Sequence, residues 1–284
     1  KRVWQYPWYD TGELLDDGAG VMNTGRASAL DLLSRRVWND LPFGQITSDG
    51  ERVYLLDNLS EYRIIQFNPV LGPRGPQPSE NDSRNTLVAL ELETEGKTIW
   101  RIGQNPTIKS ELNSAFFLGA PLAIEGSLYA MVELSGDIVL VCLDAATGKL
   151  QWQQQLVSIE GAAVQADPIR RIAGATPTYH EGVLICPTGA GATIAVDLYD
   201  RTLRWGNSYL RRVTGGAGYN PRQTPQATWK WFDRWHHATA IAHEDAIVVT
   251  PVETDNLFCF SLVDGKKRFV KSRNKAFSAA GIRA

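Results

Sequence analysis

Five times along this chain an apolar, strand-like segment runs through a short polar turn into a second strand that closes on a large aromatic ring. The copies read ALDLLSRRVW (29–38), VALELETEGKTIW (88–100), VCLDAATGKLQW (141–152), IAVDLYDRTLRW (194–205) and FCFSLVDGKKRF (258–269). A second landmark, a tight turn leading into an apolar strand, alternates with the first at Gly18, Gly50, Gly126, Gly182 and Asp245. The order is strand, tight turn, strand, connection, strand, tight turn, strand with aromatic. Four antiparallel strands about every 50 residues are the unit of a β-propeller. The pattern therefore predicts an all-β fold, a β-propeller of four-stranded antiparallel blades. About five blades are expected, over 1–38, 41–100, 118–152, 174–205 and 236–269, with 277–284 as one strand of a further blade. That extra strand suggests a piece of a larger propeller, or a last strand that closes the ring on the first blade. An α-solenoid of similar period fails, because the apolar runs are short, β-branched and bounded by Gly and Asp.

Composition agrees with a packed β-fold. Of 284 residues, 43% are hydrophobic and 21% charged, which excludes disorder as the main state. No apolar run reaches the roughly 18 residues of a membrane-spanning helix. Twenty-nine basic against 31 acidic side chains leave a net charge of −2, so nothing calls for nucleic acid as a partner. Cys142, Cys186 and Cys259 are odd in number, lie in apolar runs and form no C-x-x-C, and so read as buried structural thiols. The chain starts at Lys1 without a signal-peptide-like segment, as expected of a processed protein or an excised piece.

The A-x-D-x-x-T-G-x-x-x-W signature, best kept in CLDAATGKLQW (142–152), resembles the tryptophan-docking repeat of PQQ-like, quinoprotein-type β-propellers. The other copies depart from it: Arg201 stands at the Gly position of the fourth, Phe269 replaces Trp in the fifth, and the second carries one extra residue. The resemblance implies that Trp38, Trp100, Trp152, Trp205 and Phe269 are structural, each ring filling the wedge between neighbouring blades. It implies two kinds of activity. Some members bind pyrroloquinoline quinone with Ca²⁺ and oxidise alcohols or sugars. Others resemble BamB-type lipoproteins of the bacterial outer-membrane assembly machinery and bind protein partners without a cofactor, which would place this chain in a bacterial envelope or periplasm.

The residues favour the second kind. The vicinal Cys–Cys pair of the quinoprotein alcohol dehydrogenases is absent from the sequence. A hard cation needs six to eight converging oxygens, whereas Asp16-Asp17 and Glu253-x-Asp255 read as short acidic pairs in surface turns. Asp233 with His236 or His237 lacks any nucleophile context, and adjacent strand residues point to opposite faces, against a two-His clamp. His180 and His243 read as solvated turn residues. The glycines at 215, 216 and 218 do not open a helix after a strand and so lack a phosphate-binding context. No catalytic or metal residue is assigned.

Topology adds which end of the disc carries function. With strands a to d counted outward from the axis, the a–b and c–d turns are short and fall on one end. Every long segment is a b–c or d–a connection and leaves from the other: 58–84, 101–117, 153–173 and 206–234. Long loops gathered on a rigid scaffold are where binding usually resides. The connection 206–234 carries Arg211, Arg212, Trp229, Trp231 and Phe232 and runs into Trp235; these six are the candidate partner-binding residues, being types enriched at interface hot spots. The same loop could instead fold back and cap the propeller. The Pro- and Gly-rich stretch 68–83 suggests extended backbone that serves as a peptide-like docking arm or is simply an insertion, and Arg170-Arg171 beside Asp167 reads equally as an ion pair or an anion site. The leading expectation is a non-catalytic scaffold for a protein or peptide, with a quinoprotein-type oxidoreductase completed by blades outside this chain as the alternative.

Overall fold

A computed structural model describes residues 41–57 except 43, 84–159, 164, 167, 170–209 except 172, 235 and 239–273. Within them the chain forms four antiparallel sheets, each a simple meander. The first contains β1 (Ile46–Ser48), β2 (Arg52–Asp57), β3 (Thr86–Glu91) and β4 (Lys97–Gly103). In the second, the innermost position is shared by β5 (Phe116–Phe117) and β6 (Leu122–Ile124), followed by β7 (Ser127–Leu134), β8 (Asp137–Asp144) and β9 (Leu150–Ser158). The third runs β10 (Thr178–His180), β11 (Val183–Pro187), β12 (Ala192–Asp197), β13 (Thr202–Ser208). The fourth runs β14 (Ile241–His243), β15 (Ala246–Val249), β16 (Asn256–Ser261), β17 (Lys267–Ser272). These are the blades of a β-propeller. The expected blade over 1–38 and the strand over 277–284 lie outside the described residues.

One local device recurs in all four sheets. The closing aromatic pairs with a small residue of the preceding strand: Trp100 with Ala89, Trp152 with Cys142, Trp205 with Ala195 and Phe269 with Cys259. Immediately beyond each pair the register shifts by a β-bulge. A bulge adds twist and re-aims a side chain, and a small cross-strand neighbour leaves room for a ring. The repeat thus encodes a geometry as well as a strand.

Neighbouring sheets share cores. Leu87, Ala89, Trp100 and Ile102 of the first pack with Leu128, Ala130, Val141 and Leu143 of the second. Met131, Ile138 and Leu140 of the second meet Leu184, Cys186 and Val196 of the third. Val183, Ile185 and Trp205 of the third meet Ile247, Phe258 and Phe260 of the fourth. The two middle strands of the second and third sheets therefore face a core on both sides, which explains burial runs such as those of Asp137–Asp144 and Val183–Pro187. All three cysteines are buried free thiols. Burial pushes the thiols of Cys142, Cys186 and Cys259 up, so they stay protonated and unreactive at neutral pH.

Candidate functional site

At the outer rim the indoles of the first and third sheets meet the next blade's c–d turn in the same way. Trp100 is 1% exposed and donates its Nε1–H to the Ala145 carbonyl at 3.2 Å. Its ring lies so close to Gly148 (φ +69°) that a Cβ there would come within 2.8 Å of it. Trp205, 9% exposed, donates to the Leu262 carbonyl at 2.8 Å and covers Gly265 (φ +67°). Trp152 meets Arg201 instead, whose guanidinium lies 5.8 Å from the ring centroid. Phe269 is 44% exposed, with Lys271 over its ring. Trp38 lies outside the described residues.

The opposite end, from which the long connections leave, has a different chemistry. Six charged side chains are buried among the described residues: Glu133, Asp167, Arg170, Arg171, Glu253 and Arg273. Every one of them sits at this end, either where a b strand finishes or in a b–c or d–a connection. Three are cations and three are anions. A buried charge is tolerated only when paired and hydrogen-bonded, and here the pairs tie connections to blades.

Arg170 is the centre of the first group and is 0% exposed. Its Nε donates to Glu133 Oε2 at 2.9 Å and its Nη1 to Asp167 Oδ2 at 3.0 Å. Glu133 Oε1 in turn accepts the Val164 N–H at 2.6 Å, so the d–a connection is pinned to the end of β7. Burial pushes the Glu133 carboxyl up, and the Arg170 guanidinium and the Val164 N–H pull it only partly back. Arg171 lies over the Phe116 ring. Of the two readings open for Arg170 and Arg171, the structure shows the ion pair with Asp167 and adds Glu133, which sequence spacing did not suggest.

Glu253 corrects an expectation. Read as part of an exposed acidic pair, it is 1% exposed, because its carboxylate bridges two blades. Oε1 accepts the Gly191 N–H at 3.2 Å and the Tyr209 hydroxyl at 2.8 Å. Tyr209 also stacks on Phe258 at 4.9 Å. Nearby, Arg273 lies over the Trp235 ring at 5.8 Å and 3.7 Å from Asp255. Trp235 is half-buried, and its Nε1 has no hydrogen-bond partner among the described residues. At the inner edge the Gln45 amide ties three blades together, accepting from Ala120 N at 3.3 Å and donating to the Gly174 carbonyl at 3.1 Å. Asn85 acts as a strand surrogate, exchanging two 2.8 Å bonds with the backbone of Phe117.

Of the six candidate partner-binding residues, only Trp235 is described; Arg211, Arg212, Trp229, Trp231 and Phe232 lie outside the described residues, as do Asp233, His236, His237 and the glycines at 215–218. His180, expected as a solvated turn residue, is instead the last residue of β10, half-buried, with its Nε2 2.9 Å from the Glu244 carbonyl. The described residues do not fit a quinone cofactor's cation. No three His, Cys, Asp or Glu side chains among them form a group able to hold a metal, and the buried carboxylates at this end are engaged by arginine, tyrosine or backbone N–H. No described helix is long and apolar enough to cross a membrane.

Among solved structures, BamB from Moraxella catarrhalis is 15% identical, with TM-score 0.43, over 66% of this chain and 49% of that one. A europium-containing methanol dehydrogenase is 12% identical, with TM-score 0.43, over 81% of this chain and 42% of that one. Saccharomyces cerevisiae Sqt1 is 13% identical, with TM-score 0.43, over 66% and 44%. The chain therefore spans less than half the length of each of these structures. No curated protein matches it. A family model matches over residues 83–256, more than half of the sequence, and the chain belongs to the family it describes, outer membrane protein assembly factor BamB.

Proposed function

We propose that this propeller is a non-catalytic scaffold that binds a protein or peptide through the end from which its long connections leave. The observation that carries the reading is the placement of all six described buried charges at that end. Desolvating charge is costly, and hydrophobic replacements of similar shape often stabilise more. Such networks give fixed positions, and fixed positions matter where loops present a binding surface. The connection 206–234 supplies the anchors, with Trp229, Trp231, Phe232 and Trp235 as apolar contacts and Arg211 and Arg212 as charged ones.

The test uses Trp229→Ala/Trp231→Ala beside the unaltered chain as baits in a bacterial envelope extract. A protein retained by the unaltered bait is identified, purified and titrated against both. The reading expects binding weakened by at least about 100-fold in the double variant, as for loss of two hot spots, at an unchanged melting temperature. A folded double variant that binds as tightly as the parent would refute it.

A further inference from the structure

We infer that the seam between the second and third sheets is the compliant joint of the fan, closed firmly at the axis and unlatched at the rim. The three seams share one plan, so their differences can be compared position by position. In the first, Trp100 donates to the Ala145 carbonyl and its ring lies against Gly148. In the third, Trp205 donates to Leu262 and lies against Gly265, while its neighbours Arg204 and Asn207 reach the carbonyls of Val263 and Gly265 at 3.3 and 2.7 Å. The second seam has none of this. Arg201 takes the glycine's place in the left-handed region (φ +61°), and its guanidinium lies over the Trp152 ring. Trp152 is only half-buried and its Nε1 makes no hydrogen bond among the described residues.

The inner end of the same seam is the opposite case. Ala175 N donates to the Leu118 carbonyl at 3.0 Å and Thr176 Oγ1 to the Ala120 carbonyl at 2.9 Å. Gly119 lies so close to Ala175 that a Cβ there would come within 2.5 Å of its carbonyl oxygen. The buried Glu133–Arg170–Asp167 group is at this seam too. A firm inner edge with an indole that slides on a guanidinium at the rim is a hinge, because a cation–π contact tolerates displacement that an N–H···O bond does not. The first two blades and the last two then move as two bodies about the axis-side contacts.

Lys97, Lys149, Thr202 and Lys266 each stand three residues before the closing aromatic and are exposed, so spin labels there probe equivalent distances. Double electron–electron resonance on the labelled pairs 97/149, 149/202 and 202/266 should give the broadest distribution for 149/202. Arg201→Gly, which restores the turn residue found at Gly148 and Gly265, should narrow that distribution towards the other two. Equal widths at the three seams overturn the inference. So does a broad second seam that Arg201→Gly leaves unchanged, since the missing latch would then not be its cause. If that variant fails to fold, the comparison of widths in the unaltered sequence decides alone.

Discussion

The wedge that separates two blades rests on single atoms. At Gly265 the backbone is left-handed and the Trp205 ring occupies the space a Cβ would need. Gly265→Ala should therefore cost about 2–4 kcal/mol, from backbone strain and overpacking together, read as a shift in the denaturant midpoint. Asp49 is a second such point. Its carboxylate accepts from the Tyr54 hydroxyl at 2.6 Å, from Arg52 N at 2.7 Å, from Glu51 N at 3.0 Å and from the Arg52 guanidinium at 2.9 Å. Burial raises its pKa, but these donors outweigh it and hold the pKa at about 2, against an ordinary 3.8. A depressed carboxylate stabilises the fold above its unfolded pKa and loses that contribution as pH falls through the folded value. Asp49→Asn should thus destabilise by about 2 kcal/mol at pH 7. The gap to the parent should close between pH 4 and pH 2; a gap constant over that range would show that ionisation is not the source.

At the scale of the element, the d–a connection that reaches Arg170 is held to β7 by buried charge, where the connection that follows β4 buries Leu112 and Ala115 in the core of the first two sheets. Arg170→Met leaves Glu133 and Asp167 buried without their cation and should cost roughly 3–5 kcal/mol. Hydrogen exchange should rise first in 159–173 and at the end of β7, before the rest of the second sheet; uniform loss of protection would mean the ion group belongs to the global core. The strands and turns are legible in the sequence because an apolar strand, a polar turn and a closing aromatic recur, and repetition fixes both period and face. The Glu133–Arg170 pair is not, because its members are 37 residues apart and carry no periodic signal. The burial of Glu253 is not legible for a related reason: in a single sequence, an acid between turn residues looks solvated whether or not a tyrosine from another blade covers it. Arg201 was legible as a departure from the repeat, while its cation–π contact with Trp152 was not.

For the whole molecule, two ends of one disc are built differently. The short-turn end uses glycines and acids in left-handed turns, such as Glu125, Glu181 and Glu244 at φ +46° to +48°. The long-connection end uses buried ion pairs, amide clamps and aromatic–arginine stacking. Fold class and the placement of the long segments at one end were both readable from strand order alone. The chemistry that stiffens that end was visible only once four sheets were brought around a common axis. The direct measurement is hydrogen–deuterium exchange on the complex with the protein captured by the unaltered bait. Protection confined to 58–84, 159–173 and 206–234, with the short turns at 125–126, 181–182 and 244–245 unchanged, is the predicted result. Protection of those short turns, with the long connections exchanging as in the free chain, would contradict the account.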